Sequence, residues 1–292
     1  MKKPFISGFT IVRNAVKFDY PIIESINSIL PIVDEYIVAV GNSDDGTLDL
    51  IKNIGSPKIK IIETVWDDTL REGGKVLAVE TNKAFDAISP KTDWCFYLQG
   101  DEVVHEQYHQ AILDACLTYQ DQQDVEGLLF GYTHFYGSYD YVGDSRTWYR
   151  NEIRIIRNDK NIRSYRDAQG FRKLNKKLLV KPIPAKIFHY GWVRDPRFQQ
   201  AKQEGFRRFW HNDAFIEEHV ATANEYDYNT IESLTLFTGT HPLVMKDRLA
   251  RMNWTFKWDT KKKKFKFKDG LLYWIEKYTG YRLFEYKNYT VI

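Results

Sequence analysis

Apolar residues fall in short blocks separated by polar turns along the first part of the chain. Phe5 to Val12, interrupted by Ser7, Gly8 and Thr10 and stopped by Arg13-Asn14, predicts a first strand. Tyr20 to Leu30 spaces Ile22, Ile23, Ile26, Ile29 and Leu30 as a helix behind Pro21. Tyr36 to Val40 predicts a second strand, which ends in the polar turn Gly41 to Thr47 and leads into a helix through Leu48, Leu50 and Ile51. Ile59 to Val65, Lys75 to Ile88 and Trp94 to Leu98 then read as strand, helix and strand. This repeated alternation predicts an α/β fold, with a mostly parallel sheet and helices on both faces.

Further on the pattern shortens. Gly127 to Tyr136, Glu152 to Ile156, Leu178 to Val180 and Lys186 to Tyr190 predict strands of a mixed extension, and helical spacing returns from Pro196, including Phe198 to Phe215. No flexible linker or internal repeat divides the 292 residues, which are enough for a substantial core. A net charge of +3 gives no global field for nucleic acid, and a nucleic-acid partner is not expected. Cys95 and Cys116 fall at apolar positions, as buried thiols of a reducing compartment do. Met1-Lys2-Lys3 precedes a strand rather than an export signal, and no apolar run is long enough to span a membrane. The expected location is cytoplasmic, or peripheral at the inner face of the plasma membrane.

Candidate chemistry concentrates where the fourth strand ends, at Gln99-Gly100-Asp101-Glu102. Ligands of open α/β sheets bind beyond the carboxyl ends of strands, and Gly100 permits close backbone approach there. Asp101 and Glu102 are hard oxygen ligands suited to Mg²⁺ or Mn²⁺ holding a diphosphate; alternatively they cap the next helix. The same stretch holds His105-Glu106-Gln107-Tyr108-His109, which on one helix would hold zinc as in a metallopeptidase. The longer zinc signature is not continued, since Ile112 stands where it needs glycine. Neither G-x-G-x-x-G after the first strand nor a P-loop is present.

Three strand-end motifs together resemble the inverting, family-two glycosyltransferases of the GT-A fold. They are Thr10-Ile11-Val12-Arg13-Asn14, then Val38 to Thr47 with its Asn42-Ser43-Asp44-Asp45-Gly46-Thr47 turn, and then Gln99-Gly100-Asp101 in the place of an acidic D-x-D motif. The resemblance is strongest over residues 5–118. It implies a GT-A type, Rossmann-like domain over 1–200, with a nucleotide-sugar-binding half at 1–118 and an acceptor half at 119–200; the pattern leaves 201–292 as a C-terminal helical appendage. Thr10, Val12, Arg13, Asn42, Asp44, Asp45, Gln99 and Gly100 are then expected around a UDP- or GDP-sugar donor. Asp101, helped by Glu102 and by a late histidine, His189, is expected to hold the divalent cation (Mn²⁺ or Mg²⁺). Val40 stands where the family has an aspartate, and Gln99 replaces the first acid of the motif. These two departures leave open a carbohydrate-binding protein on a degenerate transferase scaffold.

Sugar transfer also needs a base for the acceptor hydroxyl. Asp167, in the loop Ser164 to Phe171, is the candidate, or else the ion-pair partner of Arg166 or Arg172; Asp144 and Asp195 come next. Tyr190, Trp192 and Arg194 follow His189 and are candidates for the acceptor cleft or for packing. The expected acceptor is a glycan or lipid-linked molecule of cell-surface polysaccharide synthesis. Lys261 to Lys268, interleaved with Phe265 and Phe267, precedes Leu271, Leu272, Trp274, Ile275 and Tyr278 at helical spacing. A basic run beside such a helix suits an anionic membrane surface, or is a solvated run beside a docking helix.

Overall fold

The computed structural model describes residues 2–70, 72–207, 209–210 and 223–292. The first elements are β1 (Ile6–Val12), α1 (Ile22–Ile29), β2 (Glu35–Gly41), α2 (Thr47–Lys52), β3 (Ile59–Thr64), α3 (Lys75–Asp86) and β4 (Trp94–Tyr97). β1 lies between β2 and β4, parallel to both, and β3 extends the sheet from β2 in the same sense. The strand order 3-2-1-4 reverses direction between β1 and β4, which opens a crevice beyond their carboxyl ends. The fold is therefore an α/β, Rossmann-like layout with a central mixed sheet.

Both faces of β1, β2 and β4 are covered, which is why they read as nearly continuous apolar runs, whereas the edge strand β3 exposes Lys60 and Glu63. Val12, Tyr36, Val38, Val40, Trp94 and Phe96 meet α1 and α2 on one side, through Ile22, Ile26, Ile29 and Ile51. Phe9, Ile11, Ile37, Ala39, Cys95 and Tyr97 meet α3 on the other, through Val76, Ala84 and Phe85. Cys95 and Cys116 are both free and buried.

The chain continues through β5 (Glu102–Val104), α4 (His109–Thr118), β6 (Gly127–Tyr136), β7 (Ser138–Gly143) and β8 (Asn151–Arg157). A small sheet follows, of β9 (Ile162–Tyr165), β10 (Gly170–Lys173) and β11 (Lys176–Lys177), and then the long β12 (Leu179–Trp192) and α5 (Pro196–Arg207). β8 joins β4 antiparallel and β6 joins β8 antiparallel, forming the mixed extension. β12 runs parallel to β6 and antiparallel to β5, so it carries His189 alongside Glu102. The last elements are β13 (Leu234–Leu236), α6 (Lys246–Ala250), α7 (Phe267–Thr279) and β14 (Thr290–Val291). The stretch 201–292, expected as a helical appendage, thus supplies helices and also two sheet strands, with β13 on β7 and β14 on β12. Of the helix expected over Phe198 to Phe215, α5 forms the first part, and residues 208 and 211–215 lie outside those described.

Candidate active site

A cavity of about 790 Å³ opens beyond the ends of β1 and β4. Among the expected residues, Val12, Arg13, Gln99, Gly100, Asp101, Asp167 and His189 line it. Thr10 instead lies buried behind them and donates from Oγ1 to the Leu98 carbonyl at 2.6 Å, tying β1 to the end of β4. Asn42, Asp44 and Asp45 shape the neighbouring loop. Asn42 Oδ1 accepts from the Trp66 amide at 3.2 Å, the Asp44 amide donates to Asn14 Oδ1 at 3.2 Å, and Asp45 accepts from the amides of Lys17 at 2.7 Å and Thr47 at 3.1 Å. Arg13 reaches into the cavity from the turn after β1, 2.7 Å from Asp68 and 5.7 Å from the centre of the Trp66 ring.

Asp167 arrives on the hairpin between β9 and β10, where Arg166 and Ala168 on either side have φ of 55° and 60°. Left-handed backbone at two non-glycine residues costs on the order of 1 kcal/mol or more each and persists only where surroundings enforce it. Here Gln99 Nε2 donates to the Ala168 carbonyl at 3.4 Å, and the Gly74 backbone lies so close that a Cβ there would come within 2.7 Å of Asp167. Burial pushes the Asp167 carboxyl above its ordinary value, against the backbone N–H groups and Arg166 that favour its charge. A half-buried carboxylate of raised basicity facing a cavity is equipped to take a proton.

Asp101 stands at the centre of the site. Lys202, from α5, donates from Nζ to Asp101 Oδ2 at 3.0 Å and to the Gly191 carbonyl at 2.9 Å. His189 Nε2 lies 3.8 Å from the other oxygen of Asp101. Burial pushes the Asp101 carboxyl up, but Lys202, His189 and Arg194 outweigh it and hold it well below the usual carboxylate range. Burial and the Arg194 charge bring Lys202 down to about 8, with Asp101 opposing them. Burial also lowers His189, and its Nδ1 lies 3.1 Å from Nδ1 of His134. Gly191 permits this closure, because a Cβ there would fall 2.5 Å from His189 Nε2 and 2.8 Å from Asp101 Oδ2.

Glu102 belongs to a different layer. It is fully buried, paired with Arg154 through both oxygens at 2.7 and 2.8 Å, and accepts from the Tyr132 hydroxyl at 2.8 Å. A divalent cation needs several oxygen or nitrogen ligands converging on one point. Glu102 is committed to Arg154, and Asp101 already holds an ammonium. Among the described residues no group of three or more His, Cys, Asp or Glu is placed to hold a metal ion. The cation site expected from Asp101, Glu102 and His189 therefore does not fit these side chains as they stand.

The zinc pattern does not assemble either. His105 precedes a single 3-10 turn and lies 2.9 Å from Thr240 Oγ1, whereas His109 opens α4 and lies 2.7 Å from the Ser28 carbonyl. The two imidazoles are not neighbours on one helix, because the chain turns a corner between them.

Some residues of the site left little trace in the sequence. Arg154 shares with Glu152 the alternation of β8, where a charge on an apolar strand is a signal in itself. Lys202, Tyr20 and Trp66 gave none, since each reaches the cavity from a separate element. Of the residues after His189, Trp192 lines the cavity, Tyr190 is buried with its hydroxyl 2.8 Å from His241, and Arg194 is buried and donates to the carbonyls of Phe18 and Gly191.

No protein-family model matches the sequence, and no curated protein matches it. Several solved structures share part of the layout. TarS from S. aureus in complex with UDP is 14% identical, with a TM-score of 0.38 over 75% of this chain and 67% of that one. A longer TarS chain matches over 41% of its length. Glucosyl-3-phosphoglycerate synthase from Mycobacterium tuberculosis, in complex with Mn²⁺, UDP and phosphoglyceric acid, is 20% identical, with a TM-score of 0.30 over 46% of this chain and 43% of that one. Mannosyl-3-phosphoglycerate synthase from Rubrobacter xylanophilus is 18% identical, with a TM-score of 0.31 over 44% of this chain and 40% of that one. At these identities and scores the likenesses carry no inference about chemistry.

Proposed function

We propose that this protein is a glycosyltransferase that moves a sugar from a UDP- or GDP-sugar to a hydroxyl of a glycan or lipid-linked acceptor. The observation that carries the reading is one cavity at the reversal point of the sheet that gathers Arg13, Gln99, Asp101 and the Asp167 hairpin. Arg13 and Lys17 stand at the lip of the cavity, paired with Asp68 at 2.7 Å and Asp44 at 3.6 Å, as donors that phosphates would recruit from these surface pairs, and the Trp66 ring lies in the same wall as a face for a base. In the proposed step the acceptor oxygen attacks the anomeric carbon while its proton passes to Asp167. The carbon–oxygen bond to the diphosphate breaks, and the nucleoside diphosphate leaves with the electron pair. A direct displacement of this kind inverts the anomeric centre, in keeping with the family the motifs resemble. Role in cell-surface polysaccharide synthesis is part of the same proposal.

The test is a screen of UDP- and GDP-sugars, read by thermal shift and by release of the nucleoside diphosphate. A native-state ligand raises apparent stability by mass action, so a donor should raise the melting temperature and be consumed. Stabilisation without turnover across a range of glycan acceptors would favour a carbohydrate- or nucleotide-binding role; no stabilisation by any donor would sink the proposal.

The proposal extends to where the enzyme works. Along α7, Phe267, Leu271, Trp274 and Tyr278 form an exposed stripe, and Tyr281, Phe284 and Tyr286 beyond it are exposed too. Lys263 is turned inward to Asp144 at 3.0 Å, while Lys261, Lys262, Lys266 and Lys268 stay exposed, as does Lys264, which donates to the Asn229 carbonyl at 2.7 Å. An aromatic stripe flanked by lysines supports docking on an anionic lipid surface. No helix among the described residues is long and apolar enough to cross a membrane. Co-sedimentation with phosphatidylglycerol vesicles, weakened by L271E with W274E and absent with phosphatidylcholine alone, is the expected result. Equal binding to both vesicles, or none, would remove this surface.

A further inference from the structure

We propose that Lys202 is the resident cation of the donor site, so that the diphosphate is bound by a protein ammonium without a divalent metal. The inference rests on the donor-site reading above and deepens it.

Lys202 is about nine-tenths buried, yet it lines the cavity. An ammonium has three donors. Two are spent on Asp101 and the Gly191 carbonyl, which leaves the third for a ligand. The Tyr20 ring lies beneath it, 5.1 Å from Nζ, and the same ring faces the Arg194 guanidinium at 5.0 Å. Arg194 is itself fully buried, and its Nε has no hydrogen-bond partner among the described residues. The ammonium is thus fixed by a carboxylate, a carbonyl and an aromatic face, with a second buried cation close by. A fixed positive charge of this kind is what a leaving diphosphate requires.

The alternative occupant of the place is a metal ion, and the same contacts disfavour it. A divalent cation on Asp101 would share a carboxylate already held by Lys202 and would face that ammonium across a few ångströms of low-dielectric space. Beyond Asp101 and His189 the neighbouring side chains offer it no further carboxylate, since Glu102 is bound on both oxygens by Arg154, and its other ligands would have to be phosphate oxygens and water. Gly191 matters to this arrangement twice. It brings its carbonyl to Lys202, and its missing Cβ leaves room for His189 and Asp101.

The experiment is calorimetric titration of UDP and of GDP into the full chain, once with EDTA and once with Mn²⁺, and then into K202M and K202R. One of the nucleotides should bind the parent with affinity unchanged, within about threefold, between EDTA and Mn²⁺. K202M should lose roughly 10- to 100-fold in EDTA, the worth of a charge-assisted hydrogen bond, and K202R should keep most of the affinity. The comparison of EDTA with Mn²⁺ needs only the parent, so it stands even if K202M fails to fold. Binding that EDTA abolishes and Mn²⁺ restores would overturn the role of Lys202 and leave the transferase reading intact. Failure of the folded parent to bind either nucleotide under both conditions would bring down the donor site, and this inference with it.

Discussion

Glu102 and Arg154 face each other beneath the cavity, with paired contacts of 2.7 and 2.8 Å and both side chains all but sealed from solvent. Arg154 also lies over the rings of Tyr97 and Tyr132, 5.5 and 5.4 Å from their centres. The pair joins β5 to β8 across the floor of the site. Removing one partner leaves an uncompensated buried charge, so E102Q and R154M should each destabilise by about 3–5 kcal/mol. Because the two share one interaction, the double variant should cost much less than the sum. Urea unfolding checks this, and single variants within about 1 kcal/mol of the parent would show that the pair does not hold the floor.

Asp167 is expected to act on the acceptor proton rather than on the fold. D167N keeps shape while removing basicity and should lower kcat by about 10²- to 10⁴-fold, with nucleotide affinity nearly unchanged. A variant that melts early but turns over normally when folded would assign Asp167 to the hairpin's structure instead.

Gly191 admits no side chain without moving the site. In G191A the new Cβ would meet the His189 ring and the Asp101 carboxylate at 2.5 and 2.8 Å, so at least one of the two must shift. The expected loss is about 1–3 kcal/mol of stability from overpacking, together with weakened nucleotide binding. Thermal unfolding and calorimetry read the two effects separately. Parent-like values in both would mean that the close approach is not needed.

Glu152 gives the protein a pH dependence of its own. Its carboxyl is buried beside the Gly170 backbone and pushed from its ordinary 4.5 up to about 7, chiefly by burial, with Arg154 and the Ile153 amide opposing. In the unfolded chain it ionises near its ordinary value, while the folded chain keeps the proton until about 7. Its contribution is therefore complete below about pH 4.5, declines as pH rises toward 7, and is lost above it; the change is on the order of 3 kcal/mol. E152Q should remove that slope from a series of urea unfolding curves. A parent and variant with parallel profiles over this range would show that Glu152 does not titrate late.

Alternation of strands and helices was legible because β1, β2 and β4 are largely apolar on both faces, β3 keeps Ile59, Ile61 and Ile62, and each helix between them has an apolar stripe. Those are local properties, and composition alone carries them. The edge of the sheet was legible too, because ligands of open α/β sheets bind beyond the carboxyl ends of strands and Gln99-Gly100-Asp101 marked one such end, whereas the strand order that opens the crevice came from the structure. What each acid does there was not legible. Asp101 and Glu102 are adjacent in the chain, yet Asp101, in the turn before β5, reaches the cavity and Lys202, while Glu102, the first residue of β5, points to the interior and Arg154. His105 and His109 match a metal pattern, yet a corner between strand and helix parts their rings. The sequence by itself determined the layered fold and the end of the sheet at which the cavity opens. Only the tertiary structure decided which charges meet there, because Lys202, Arg154 and Asp167 come from α5, β8 and the β9–β10 hairpin, and the pairing of distant charges depends on packing that no local pattern records.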